Sequence, residues 1–171
     1  MQPEQAMFLC ALELQAIERE SAATRRVLEA VPPDKADYRP DAISKSAFDL
    51  AWHIAAAENR FLSGVADGKF TFSGTRPESI KTAADVAAWY VQQSHENLAR
   101  ISKMTPEELT RTIDFRSMFQ APAVIFIGIA LRHTAHHRGQ LSMYLRPMGA
   151  KVPAIYGESY DTAQAKQSAQ A

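Results

Sequence analysis

Two histidines, His133 and His137, stand four residues apart and are the first candidates for chemistry in this chain. Residues at i and i+4 of a helix lie on one face, one turn apart, so their imidazoles can reach the same ion. A third histidine, His53, stands in a separate apolar segment. If the two segments pack together, the three imidazoles form a site for a divalent metal with a position open for water or substrate. The spacing therefore predicts a three-histidine metal site of the catalytic type.

Two other histidines compete for places in this site. His136 projects about 100° around the helix from His137 and leaves the apolar stripe, so the pair His133 and His137 is favoured over His133 and His136. His95 is expected on the inward stripe of another helix, as a core residue, a fourth ligand or a proton relay. A relay role is open for His136 as well. Imidazoles suit zinc, nickel, copper and ferrous iron, so these residues do not fix the metal.

The elements that must position these histidines are helices. Apolar residues recur with a period near 3.6 in four long segments, and Thr105-Pro106 opens one short helix between the third and the fourth. We expect an all-α fold, an up-down four-helix bundle with one short extra helix. The expected bounds of the long helices are about residues 4–30, 46–66, 82–103 and 120–148.

The helical stripes point the three histidines toward the bundle interior. His133 and His137 share a stripe with Leu141, and His53 shares one with Leu50. Imidazoles in an apolar interior are costly unless each has a polar partner. A divalent ion supplies that partner, through bonds of about 2.0–2.1 Å if the ion is zinc. We therefore expect His53 to face the pair across the core.

Composition sets the class of the protein. The chain has 171 residues, of which 46% are hydrophobic and 22% charged, as in a soluble globular domain. Nineteen basic residues balance nineteen acidic ones, so the charge favours neither nucleic acid nor a membrane surface. A single cysteine and no signal-like start favour a cytoplasmic protein. We expect one domain over residues 1–157 and a disordered tail over residues 158–171, which is rich in Ala, Gln and Ser.

Several stretches together resemble the DinB family of metal-dependent bundle proteins. The most specific is residues 133–141 (HTAHHRGQL), followed by residues 144–146 (YLR). Residues 52–58 (WHIAAAE) and 152–157 (VPAIYG) also match the family pattern in order and separation. The resemblance spans about residues 5–157.

This resemblance implies an up-down four-helix bundle, often a homodimer, with a divalent metal on His53, His133 and His137. Relatives include thiol-dependent S-transferases and a mycothiol-dependent maleylpyruvate isomerase. The family name derives from DNA-damage induction of one member and implies no DNA polymerase activity.

The favoured function is a metal-dependent enzyme that moves a low-molecular-weight thiol, its co-substrate, onto a small electrophilic molecule. A metal-dependent hydrolase would use the same site. The contrasting hypothesis is a non-catalytic stress-response or binding module whose metal is structural or absent. A structural site should be closed by a fourth protein ligand, and His95 is the obvious candidate.

Overall fold

The computed structural model describes residues 1–170, and within them four long helices form a bundle. The all-α four-helix bundle predicted from the sequence is confirmed. A short helix and a two-stranded antiparallel hairpin precede the last long helix, and one further helix follows it. In chain order the elements are α1 (Pro3–Glu29), α2 (Ala47–Asp67), α3 (Ala83–Ile101), α4 (Pro106–Thr110), β1 (Thr112–Phe115), β2 (Phe119–Pro122), α5 (Ala123–Leu145) and α6 (Tyr160–Gln170).

Local sequence signals set the helix ends. Ser46 precedes α2, and its hydroxyl accepts a hydrogen bond of 3.0 Å from the backbone N–H of Asp49. Thr82 and Asp85 form a capping box at the start of α3, in which Asp replaces the usual Glu. Gly68 ends α2 with φ at 71°, a left-handed conformation that glycine adopts without steric cost.

The helix directions differ from a strict up-down order. Trp52 of α2 packs on Trp89 of α3, and Asn97 of α3 donates a 2.7 Å hydrogen bond to Asn59 of α2, so positions rise together along the two helices. These helices are therefore parallel, and the order is up-down-down-up. The connection of residues 68–82 has almost no regular structure and is long enough to return along the bundle. Helical periodicity specifies which face is buried but not the direction in which a helix runs.

The bundle interior consists of two apolar clusters separated by buried polar side chains. One cluster joins the end of α1, the start of α2 and the end of α5, and includes Leu28, Ile54 and Leu145. The other joins the opposite ends of these helices and includes Leu62 and Ile127. We call the set between them the polar layer. Its members are Thr24, Glu58, Ser94, Asn97, Thr134 and Arg138.

The segment that the sequence predicts as a disordered tail contains α6. Asp161 accepts hydrogen bonds of 2.9 Å from Arg146 and from the backbone N–H of Val152, which fixes the start of α6 to α5 and the preceding loop. Low hydrophobicity suggested disorder, but Ala, Gln and Lys are also good helix formers. Residue 171 lies outside the described residues, and the domain boundary at residue 157 stays a prediction. Within residues 1–170, none of the helices has both the length and the apolarity of a membrane crossing.

Candidate metal centre

Three histidines meet at the seam between α2 and α5. His53 comes from α2, and His133 and His137 come from successive turns of α5, which runs antiparallel to α2. The ring centroids of His133 and His137 are 4.3 Å apart, and the ring of His53 lies 5.0 Å and 4.5 Å from them. All three side chains are half-buried. The structure thus brings together the three residues that spacing and periodicity selected.

The ring nitrogens are close enough to share one ion. Nε2 of His53 and Nε2 of His137 are 3.2 Å apart, and one nitrogen of His133 lies within 4.8 Å of both partners' nitrogens. Two nitrogens on one tetrahedral zinc, each about 2.05 Å from it, are separated by about 3.3 Å. The separation of the two Nε2 atoms therefore fits ligands of a common ion.

The hydrogen bonding of the His137 and His133 imidazoles is also consistent with a role as metal ligands. Nδ1 of His137 lies 2.6 Å from Oε1 of Gln140, an atom that only accepts, so Nδ1 carries the proton and Nε2 presents its lone pair to the site. Nδ1 of His133 is buried and has no hydrogen-bond partner within residues 1–170. A buried polar nitrogen without a partner is costly, and coordination of this nitrogen to a bound cation would remove that cost.

The electrostatic environment keeps two of these imidazoles neutral. Burial lowers the pKa of His53 to about 4, and the charges of His137, Lys45 and Arg60 add to the effect. Burial also lowers the pKa of His133 to about 4, with the neighbouring histidines contributing next. Neutral imidazole is the form that binds a metal. Both residues are therefore ready to act as ligands at neutral pH.

The donor set leaves room for another ligand. Among the residues that the structure describes, the metal-binding side chains gathered here are the three histidines alone, without a carboxylate or a thiolate. Structural zinc sites are usually closed by four protein ligands, whereas catalytic sites keep one position for water or substrate. Three imidazole nitrogens also suit nickel and ferrous iron.

Two cavities adjoin the histidines. One, of about 480 Å³, contacts His53 and is lined also by Lys45 and Arg60. The other, of about 450 Å³, contacts His137 and Gln140. Both volumes are in the range of small-molecule sites. Ser44 and Lys45, from the loop before α2, line both cavities, so this loop forms part of the entrance to the site.

The other two candidate histidines lie apart from this centre. His136 is exposed, and its ring centroid is 4.8 Å from that of His137, so it flanks the site without joining the cluster. His95 is not on the inward face of α3. It is exposed and lines a groove between α1 and α3 together with Leu14 and Val91, a groove that none of the three clustered histidines lines. It is therefore neither a fourth ligand nor a core residue.

The error for His95 arises from the phase of α3. Helical periodicity allows an inward stripe of Ala84, Val91 and His95, but the buried stripe includes Val86 and Tyr90 instead. Alanine is frequent on this helix, so several phases gave a similar apolar face. The larger side chain of Tyr90, which reaches the polar layer, was the better signal for the inward direction.

With the geometry established, comparison with known proteins places the chain in a family. The model of the DinB family matches residues 5–169. The chain belongs to the DinB family. Bacillus subtilis (strain 168) has two relatives among curated proteins, both uncharacterized. YjoA is 28% identical over 128 residues, which cover 74% of this chain and 82% of YjoA. YrdA is 26% identical over 147 residues, covering 84% of this chain and 86% of YrdA.

Solved structures of DinB-like proteins share the fold. The crystal structure of Bacillus subtilis YjoA has a TM-score of 0.72 at 23% identity and covers 86% of this chain and 99% of that one. A DinB-like protein from Bacillus cereus ATCC 10987 has a TM-score of 0.70 at 26% identity, with coverage of 84% and 95%. Each of these similarities covers more than four fifths of this chain.

This DinB-family chain also buries a carboxyl group, which the sequence did not predict. Glu58 is 2% exposed and accepts hydrogen bonds from the hydroxyls of Thr134 at 2.7 Å, Ser94 at 3.2 Å and Tyr90 at 3.3 Å. Burial raises its pKa, although these hydrogen bonds and the charge of Arg138 oppose the shift. Glu58 is five residues after His53 and so lies off the stripe that His53 shares with Leu50, but α2 packs against both α3 and α5 and so buries a wider face. Thr134 directly follows His133, so this network supports α5 beside the metal centre.

A buried arginine connects the same turn of α5 to α1 and to the C-terminal segment. Arg138 is 2% exposed and forms an ion pair of 2.6 Å with Glu20. It also donates hydrogen bonds of 3.1 Å to Thr24 and 2.7 Å to the hydroxyl of Tyr156. Because Arg138 directly follows His137, these contacts fix the position of the turn of α5 that carries the histidines.

The single cysteine is not part of the centre. Cys10 is 5% exposed in the apolar cluster that includes Leu62 and Ile127, and burial raises its pKa to about 11. The thiol is therefore protonated at neutral pH and acts as a small apolar side chain.

Proposed function

We propose that this DinB-family protein is a divalent-metal-dependent enzyme whose ion is held by His53, His133 and His137. The observation that carries the proposal is the convergence of three imidazoles at the edge of the bundle, beside two cavities of small-molecule size. Zinc, nickel and ferrous iron all remain suitable ions. The absence of a carboxylate or thiolate from the cluster, within the described residues, favours a catalytic over a structural ion.

We propose further that the reaction transfers a low-molecular-weight thiol to an electrophilic small molecule. A bound divalent ion would favour the deprotonated form of a coordinated thiol, or of water, at neutral pH. In the transfer the thiol loses its proton, its sulfur forms a bond to the electrophilic carbon, and the leaving group departs. The buried, protonated Cys10 supports a thiol supplied as co-substrate, since the chain has no other sulfur nucleophile.

Two side chains around the ligands have proposed roles. Gln140 holds the ring of His137 through Nδ1 and is a positioning residue. His136 is exposed beside His137 and is the proposed acceptor of the proton that the thiol releases. Its imidazole can pass that proton to solvent. His95 lines the groove between α1 and α3, away from the three histidines, and has no part in this proposal.

The cellular setting is also proposed. Large apolar side chains are exposed on α1, where Phe8 is 68% and Leu12 is 48% exposed, and this apolar face supports a homodimer. A reduced, unpaired Cys10 supports a cytoplasmic location, where thiols are kept reduced. The balance of nineteen basic and nineteen acidic residues supports a small-molecule partner rather than nucleic acid.

The test is metal-dependent consumption of a thiol. Chelator-treated protein is supplied with zinc, nickel or ferrous iron, and thioether formation between cysteine or glutathione and 1-chloro-2,4-dinitrobenzene is followed by absorbance. We expect activity only with metal, a loss of at least about 10-fold in His137→Ala, and no loss in His95→Ala.

Other outcomes separate the alternatives. Metal-dependent cleavage of p-nitrophenyl esters without thioether formation would identify a hydrolase. Loss of thermal stability on chelation, with neither activity, would identify a binding module with a structural metal. Thiol consumption that is equal with and without metal would overturn the proposal.

A further inference from the structure

The cavity beside His53 has a distinctive charge. It has a volume of about 480 Å³ and is lined by residues of α2 and of the loop before it. Three of the lining residues, Arg39, Lys45 and Arg60, are cations, and Asp49 is the acidic one. Ligand cavities of this size are usually apolar with a few placed polar groups. The excess of positive charge therefore favours a ligand with negative charge.

Neighbouring acids do not neutralise this excess. Asp49 lies 3.6 Å from Arg39 and 3.9 Å from Arg76, so its single negative charge is shared between two guanidinium groups. Within residues 1–170, Lys45 and Arg60 have no carboxylate within 4.0 Å. Two cations without a counter-charge thus border the cavity. Clefts lined by one sign of charge concentrate oppositely charged ligands.

Both cations line the cavity that contacts His53. Arg60 is seven residues after His53, two helical turns along the same face of α2. Lys45 lines this cavity and also the one that contacts His137. The ring of Trp52 and the small side chain of Ala56 complete the wall near His53. A molecule in this cavity would lie against His53 and both cations together.

We propose that Lys45 and Arg60 bind an oxyanion group, a carboxylate or a phosphate, of the small molecule that reacts at the three-histidine centre. Arginine and lysine are the side chains that recognise such groups, arginine through paired N–H donors and lysine as a point charge. The anionic group is held at the rim while the reactive part of the molecule faces the histidines. This inference rests on the proposed function, because it takes the cavity to be the substrate side of that centre. It makes the site selective for anionic substrates.

The test compares charged and neutral probes on the chelator-treated full chain, so that no metal can hold the anion. Succinate, inorganic phosphate and the neutral succinamide are titrated by calorimetry at low ionic strength. We expect succinate or phosphate to bind at least about 10-fold more tightly than succinamide, with the preferred anion identifying carboxylate or phosphate chemistry. The preference should decrease as sodium chloride is added, because salt screens charges. In the double variant Lys45→Gln/Arg60→Gln the preference should disappear.

A matched variant controls for the loss of two positive charges. Lys103→Gln/Arg19→Gln removes one exposed lysine and one exposed arginine that do not line this cavity, and it should keep the preference. Equal binding of the three probes, or a preference that survives in Lys45→Gln/Arg60→Gln, would overturn the proposal. So would anion binding that appears only after zinc is added. Anion binding without any thiol or ester chemistry would refute the proposed function and leave this site standing.

Discussion

At the scale of single residues, the centre depends on which nitrogen each imidazole presents. Gln140 fixes the proton of His137 on Nδ1, and the Nε2 atoms of His137 and His53 face each other at 3.2 Å. Hydrogen bonds of this kind orient metal ligands and raise their basicity. The three ligands could be predicted from helical spacing and from a family pattern. Gln140 was also visible in the sequence, since it lies one turn after His137 on the same face.

Replacing Gln140 should weaken metal binding without removing a ligand. In Gln140→Leu, Nδ1 of His137 loses its acceptor, and we expect the dissociation constant for zinc to rise about 10-fold. Competition with a chromophoric chelator measures it. Gln140→Glu keeps an acceptor oxygen and should retain the wild-type affinity or exceed it. Equal affinities in Gln140→Leu and wild type would show that this hydrogen bond does not position the ligand.

The stability of the metal-free protein should decrease as the pH falls from about 6.5 to about 4. Burial lowers the pKa of His53 and of His133 to about 4, below the ordinary value of 6.5. Between these values an unfolded chain binds protons that the folded chain does not, so acid favours unfolding. Urea unfolding at pH 7 and pH 5 measures the change. The double variant His53→Gln/His133→Gln should show a smaller change, and an unaltered change would contradict the assignment.

At the scale of elements, α2 and α5 each bury an ionisable side chain where the sequence suggested only an apolar stripe. Glu58 and Arg138 are each 2% exposed, and both belong to the polar layer between the two apolar clusters. Sequence patterns assign charged residues to the surface, because most are there. Their burial depends on partners from other helices, Ser94 and Thr134 for Glu58 and Glu20 for Arg138, which no local pattern reveals.

Removing the buried arginine should be much more costly than removing an exposed one. Arg138→Met leaves Glu20, Thr24 and Tyr156 without their partner, and we expect the free energy of unfolding to fall by about 3 kcal/mol. Arg132→Met is the matched control on the same helix, because the side chain of Arg132 is 67% exposed and its nearest acid, Glu13, is 4.0 Å away. It should cost less than about 0.5 kcal/mol. Equal costs from urea denaturation would contradict a structural role for the polar layer.

At the scale of the whole molecule, the sequence predicts the four long helices and their approximate bounds but not their directions. The parallel pair α2 and α3 follows from the long connection of residues 68–82. The hairpin of β1 and β2 lies between α4 and α5, with Arg116 and Ser117 at positive φ in its turn. The helix α6 shows no apolar periodicity and was therefore not predicted. Its place depends on the contacts of Asp161 with the end of α5 and the loop after it.

The proposed homodimer gives a prediction at this scale. If the apolar face of α1 is the interface, Phe8→Glu should halve the mass measured by light scattering, because a buried charge opposes association. Met118→Glu is the control, since Met118 is 74% exposed in the hairpin and lies outside α1. A monomeric wild type would contradict the proposal of a dimer. A Phe8→Glu variant that remains dimeric would place the interface elsewhere.

The metal content of the untagged protein tests the central claim most directly. Elemental analysis of wild type, His137→Ala and His95→Ala, each equilibrated with zinc and freed of excess ion, counts the ions held by each chain. We predict about one zinc per chain in wild type and in His95→Ala, and almost none in His137→Ala. Zinc content in His137→Ala equal to that of wild type, or no zinc in wild type, would contradict the three-histidine centre.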